Sequence, residues 1–238
     1  MKLAIMQPYF FPYIGYFDLI HQTDLWVVYD TGQYIKHGWV NRNRILHPRE
    51  GWSYVIVPLK RHHLTTPIRE VRIAEDRPWR QKLLGQIQHY ARKAPFFPVV
   101  RDLLHACLHD TSESLSRLNV RCLEEVTRYL GIPFQHSTFS DMGIHLDGMD
   151  DPTSIALQTA SVLGATEYIN RPGGAHLFER ARFEEAGITL TIQGPVDFVY
   201  DCDGYQFQPN LSIIDVMMWN PPDEIRRYLV SRQEKEQS

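Results

Sequence analysis

Three stretches of this 238-residue chain combine residue types that could do chemistry. The first, Met6-Gln7-Pro8-Tyr9-Phe10-Phe11-Pro12-Tyr13-Ile14-Gly15-Tyr16-Phe17, turns a short apolar run into a rigid aromatic loop. Pro8 and Pro12 forbid continuation of a strand. Gly15 lets backbone or ligand come close to the start of the helix that follows, where free N–H groups favour anions. The second, from Asp30 to Arg44, places Asn41, Arg42 and Asn43 in a row, planar amides and a guanidinium suited to bidentate recognition of carboxylate or phosphate. The third is a pair of short strings. Pro172-Gly173-Gly174 offers bare backbone to an anion or simply a tight turn. Asn210 precedes Ser212 and Asp215, spaced as an acidic capping box, so Asp215 has a structural reading beside a catalytic one.

Other clusters carry weaker signals. His105 and His109 share a helical face beside Asp110, but lack the Glu of a zinc-protease pattern. His62-His63 and the group His145, Asp147, Asp150, Asp151 are no stronger, and Asp151-Pro152 reads as an N-cap with proline at the first helical position. No metal is expected. Cys122 lies on an apolar stripe, Cys202 stands between Asp201 and Asp203, which oppose a thiolate, and Cys107 has no local activator.

The elements that must position these groups alternate. Residues 2–6 read as a buried strand, 15–22 as a helix and 25–29 as a second strand, a β-α-β opening that favours a parallel sheet. Residues 30–43 read as a loop, and 53–59 with 68–73 as two strands of a hairpin. From about 76 to 130 the period is helical, with Trp79, Leu83, Ile87, Tyr90 and Ala91 on one stripe and Leu115, Leu118, Cys122, Val126 and Tyr129 on another. Strands at 133–140, 165–170 and 188–193 then alternate with helices at 153–163 and 177–186, before an apolar helix at 211–219 and a short amphipathic one. The expectation is one α/β domain over 1–238, with a Rossmann-like, mostly parallel sheet and a helical insertion at 76–130.

Two resemblances follow from these residues. Strand, loop and aromatic-Ile-Gly-aromatic at a helix start is similar to the nucleotidyl-transferase arrangement, with Tyr13 and Tyr16 where histidines contact ATP; tyrosine can donate to phosphate but stays neutral. More specifically, the loop from Met6 to Tyr16, Gln33-Tyr34, Asn41-Arg42-Asn43-Arg44, Pro172-Gly173-Gly174 and the run from Pro209 to Asp215 resemble the WbqC-like family over nearly the whole chain. That family is associated with O-antigen and other natural-product biosynthesis and with proposed amide bond formation. The resemblance implies a transferase of aminoacyl or acyl groups to an amine of a sugar or related metabolite. It carries Gln7, Pro8, Tyr9, Pro12, Gly15, Tyr16, Gln33, Tyr34, Asn41, Arg42, Asn43, Gly173, Gly174, Asn210 and Asp215 forward as site candidates, Arg42 and Asp215 as catalytic ones, and Tyr13 of the aromatic loop joins the substrate-binding set. His37 is expected to manage the proton, since an imidazole titrates near neutrality. One departure concerns residues 155–158, where family members often carry Lys or Arg and this chain has none; if that cation meets a substrate anion, the substrate here differs.

The acyl donor stays open among an acid activated by ATP with magnesium, a coenzyme A thioester, a carrier-protein thioester and a charged tRNA. A formal net charge of -3 argues against nucleic acid as the principal partner. No apolar run approaches the roughly 18 residues of a membrane span. A strand within two residues of Met1 leaves no room for a signal core, so the expected location is cytoplasmic. The competing expectation is a noncatalytic module that binds a nucleotide-linked sugar or a partner biosynthetic enzyme.

Overall fold

The computed structural model describes residues 1–109, 112–145 and 151–236. It opens with β1 (Lys2–Met6), α1 (Ile14–Gln22) and β2 (Leu25–Val28). Leu3, Ala4 and Ile5 are buried on both faces of β1, as a central parallel strand requires. With β5 (His136–Thr138), β6 (Glu167–Asn170) and β7 (Thr189–Ile192) these strands form a five-stranded sheet, order β5-β2-β1-β6-β7, in which every pairing is parallel. The chain winds outward from β1 through β2 to β5, then crosses to β6 on the other flank of β1. The β1/β6 boundary is therefore a topological switch point, the crevice where open α/β sheets hold ligands. The fold is α/β and Rossmann-like.

Between β2 and β5 lie β3 (Arg42–Leu46), β4 (Trp52–Ile56), α2 (Trp79–Gln86), α3 (Phe97–Leu108) and α4 (Leu115–Leu130). Ser114 caps α4 by accepting from the Arg117 N–H, and Gly131, at φ 65°, closes it. Trp79, Leu83, Ile87 and Tyr90 are buried, but Ala91 is exposed because the chain tightens into a 3-10 helix at Ile87–Arg92. The second half adds α5 (Pro152–Leu163), capped by Asp151, then α6 (Arg180–Glu185), α7 (Ile213–Trp219) and α8 (Pro222–Glu236). On α8, Arg232 reaches back to α1, its Nε 2.8 Å from the fully buried carboxylate of Asp18.

The hairpin departs from expectation. Residues 52–56 pair with β3 and make no ladder with 68–73: β3 and β4 are antiparallel in the register Arg44↔Tyr54, while Ile68–Glu70 forms a 3-10 turn and a single bridge joins Leu59 to Ile73. Pro58 and Pro67 remove the donors that a longer ladder would need. β3 escaped notice because its outward residues, Arg42 and Arg44, are charged; only Asn43, Ile45 and Leu46 are buried. Residues 42–43 thus enter a strand where a loop was expected.

Candidate functional site

At the switch point a pocket of about 260 Å³ is lined by Tyr9, Pro12, Tyr13, Trp39, Asn43, Arg44, Arg171 and Asn210. Its first wall is the loop after β1, which divides its aromatic residues: Phe10, Phe11 and Tyr16 are fully buried, whereas Tyr9 and Tyr13 stay partly open and face the pocket. The Tyr16 hydroxyl donates to the Gln7 carbonyl, pinning the loop to the start of α1. Gly15 lets the Tyr13 ring rest against the start of α1, since a Cβ there would lie 2.5 Å from that ring and displace it.

The loop's carbonyls are held from three directions. Asn43 Nδ2 donates to the carbonyls of Phe10 at 3.1 Å and Phe11 at 2.9 Å. Ser212 Oγ donates to Phe11 O at 2.7 Å, and Asn119 Nδ2 donates to Pro8 O at 2.8 Å. Phe11 sits at φ 40°, a conformation a bulky residue adopts only when its surroundings impose it. Asn43 is thus both a wall of the pocket and its principal brace.

Two guanidiniums provide the charge. Arg44 lies 5.3 Å from the Trp39 ring and 5.1 Å from that of Trp52, and its NH2 donates to Asn210 O at 3.2 Å. Arg171 lies 5.0 Å from the Tyr13 ring, 5.9 Å from Tyr16 and 6.0 Å from Tyr9. Its backbone N–H donates to Asn170 Oδ1 at 2.7 Å, and Gly174 leaves space for that side chain, since a Cβ there would meet the same oxygen at 2.8 Å. Burial raises the pKa of Tyr9, partly opposed by the charge of Arg171, so the phenol stays protonated. Ring-lined cations beside amide and phenol groups suit a small anion bearing a flat or apolar portion.

The structure brings Tyr9, Tyr13, Asn43 and Asn210 together on this wall, with Gly15 and Tyr16 directly behind it. The other expected residues stand elsewhere. The Arg42 guanidinium donates to the carbonyls of His37 and Gly38 and stacks 4.3 Å from the Tyr54 ring, outside the wall. His37 is exposed at φ 66°. Tyr34 donates to Asn41 Oδ1 at 2.8 Å, Asn41 Nδ2 to Val57 O at 2.9 Å and Gln33 Nε2 to Leu64 O at 2.7 Å, so these three tie loops together. Gly173 is exposed in the 3-10 helix at Pro172–Leu177, just past Arg171. The capping reading of Asp215 is corrected: Ser212 caps α7 through the Ile214 N–H, while Asp215 is fully buried and accepts from Tyr90 and Tyr200. Burial pushes its carboxyl up to about 6, against the pull of those hydroxyls.

Arg44, Trp39 and Arg171 were not among the expected site residues. Arg171 had a readable signal: it directly follows a strand and precedes a proline, which holds it extended at the ligand-facing edge of the sheet. The cysteines are all buried, and burial with the charges of Asp215 and Asp201 pushes the Cys202 thiol up to about 12. No cluster of three or more metal-ligating side chains occurs among the described residues; Asp110, Asp147 and Asp150 lie outside them. No helix among the described residues is long and apolar enough to cross a membrane.

Comparison with known proteins places these residues in a wider set. The model of the WbqC-like protein family matches residues 7–227, a span that includes every residue of the pocket. The uncharacterized protein Rv1507c of Mycobacterium tuberculosis is 31% identical over 238 residues, covering 96% of this chain and 97% of that relative. No solved structure matches.

Proposed function

The chain belongs to the WbqC-like protein family, and on that premise we propose that it transfers an aminoacyl or acyl group to an amine of a sugar or related metabolite at the switch-point pocket. One observation supports an anionic small molecule there: Arg44 and Arg171, each against aromatic rings, converge on a loop braced by Asn43. The transfer itself rests on the resemblance of the motifs. In it the amine nitrogen bonds to the acyl carbon, the carbonyl electrons move onto oxygen, and collapse of that oxyanion expels the donor's leaving group. Arg44 and Arg171 would hold a substrate carboxylate or phosphate, or the oxyanion itself. No imidazole lines the described wall, so the ammonium proton would pass to solvent, and Asp215 would act as a positioning residue through Tyr90, Tyr200 and the Leu46 N–H.

A second reading has an observation of its own. The described pocket wall presents guanidiniums, phenols, an indole and amides but no carboxylate, imidazole or thiol, which also suits a noncatalytic module that binds a nucleotide-linked sugar. The test is to incubate the protein with amino-sugar acceptors and amino acids under ATP with magnesium, or with coenzyme A thioesters, and to look for the amide by mass spectrometry. Turnover that falls at least 100-fold in Arg44→Ala and Arg171→Ala supports transfer at this pocket. Turnover unchanged in both removes the assignment, and a thermal shift with a nucleotide sugar but no product selects the binding module.

A further inference from the structure

A larger cleft, of about 740 Å³, lies elsewhere on the same edge of the sheet and shares no lining residue with the switch-point pocket. It sits beyond the C-terminal ends of β2 and β5, where Asp30, Thr138 and Ser140 contribute to its lining. Four arginines line it as well: Arg69 and Arg72 from the turn after β4, and Arg117 and Arg121 from the first two turns of α4.

The backbone fixes these positions. The Arg69 N–H donates to Asp30 O at 2.8 Å, Arg72 bridges antiparallel to Ser114, and the Ile73 N–H donates to Glu113 O at 2.8 Å. The segment carrying Arg69 and Arg72 is thereby strapped both to the end of β2 and to the start of α4. Four carboxylates share the lining, and three of them are engaged. Asp30 accepts from the Ser140 N–H at 3.1 Å and its hydroxyl at 2.7 Å, Glu124 lies 3.1 Å from His136 Nε2, and Glu125 pairs with Arg128.

The cations are balanced differently. Arg69 has an exposed pair with Glu70 at 3.7 Å, a contact of little strength. Arg72 and Arg117 carry no side-chain partner among the described residues. Guanidiniums gathered from two elements on a rigid frame, with the hydroxyls of Ser112, Ser116 and Ser140 around them, match an anion whose charge is spread over many oxygens. A lone carboxylate could engage one such fork; linked phosphates can engage several at once.

We infer that this cleft binds the pyrophosphate group of an organic ligand. The same group occurs in nucleoside triphosphates, coenzyme A and nucleotide-linked sugars. The assignment does not depend on chemistry at the switch-point pocket, and its test separates the two sites. Binding of inorganic pyrophosphate, ATP, coenzyme A and a uridine diphosphate sugar is measured by titration calorimetry on the wild type, on Arg72→Ala/Arg117→Ala and on Arg44→Ala/Arg171→Ala. The expected result is that at least one organic pyrophosphate binds the wild type, loses at least tenfold in affinity in the Arg72/Arg117 variant and less than threefold in the Arg44/Arg171 variant. The organic ligand that binds identifies the source. Binding that instead follows Arg44 and Arg171, or no binding of any organic pyrophosphate at millimolar concentration, overturns the inference. Arg72→Lys/Arg117→Lys, which keeps charge but loses the fork, guards against a folding defect and should fall between wild type and the alanine pair.

Discussion

Asp215 shows how burial can outweigh hydrogen bonding in setting the protonation of a carboxyl group. Its carboxyl is fully buried among Tyr90, Tyr200 and the backbone of β3, and burial raises its pKa from 3.8 to about 6. A raised folded pKa means that the folded state holds the proton more tightly than the unfolded chain does. Its contribution to stability is therefore complete below about pH 4 and is lost as pH rises through 6, a change on the order of 3 kcal/mol. Asp215→Asn should remove this dependence. Urea unfolding at pH 4 and pH 7 should show the variant gaining on the wild type as pH rises, and a parallel pair of curves would refute the assignment. Gly15→Ala makes a different point: its Cβ would displace the Tyr13 ring, so ligand affinity should drop about tenfold while the melting temperature changes by only a few degrees, read by calorimetry and thermal melting.

Among the elements, β3 links the hairpin to the site. Its inward Asn43 braces the loop after β1 and its outward Arg44 faces the pocket, so one strand sets both the loop's shape and its charge. Asn43→Ala would leave the Phe10 carbonyl without its side-chain donor and the Phe11 carbonyl with Ser212 alone, and should cost roughly 2 kcal/mol, seen in chemical denaturation; a loss below about 0.5 kcal/mol would show that the brace is dispensable. β3 was also the element least legible in sequence. β1, α1 and β2 could be read because an apolar run, two prolines and a helical period leave few alternatives. β3 alternates arginine with asparagine, a polar pattern that resembles a loop until the partner strand is known. Ile68, Val71 and Ile73 misled for the opposite reason, since they are buried without belonging to a ladder. Tyr9, Tyr13, Asn43 and Asn210 were legible within their own motifs, whereas the pairing of Arg171 with the tyrosine rings depends on a strand crossover that local spacing cannot encode.

Across the whole molecule, the last helix closes what the first one begins. Arg232 of α8 approaches Asp18 of α1 and donates to the carbonyls of Gly194 and Pro195. Arg232→Ala removes the cation facing a fully buried carboxylate and should cost about 3 kcal/mol or more, with Asp18→Asn in the same chain recovering part of the loss. Thermal melting checks it: equal melting temperatures for the single and double variants would mean that the charge pair is not the source. The central strand has a further consequence. β1 pairs with β2 nearby but also with β6, in the register Leu3↔Tyr168, so its second neighbour is made long after it during synthesis. A ribosome-bound chain must hold one edge of its central strand unpaired for most of translation. Such nascent chains fold late and are prone to stick to one another, so recovery of folded protein in a cell should depend on chaperone capacity more than the stability of the finished molecule would suggest.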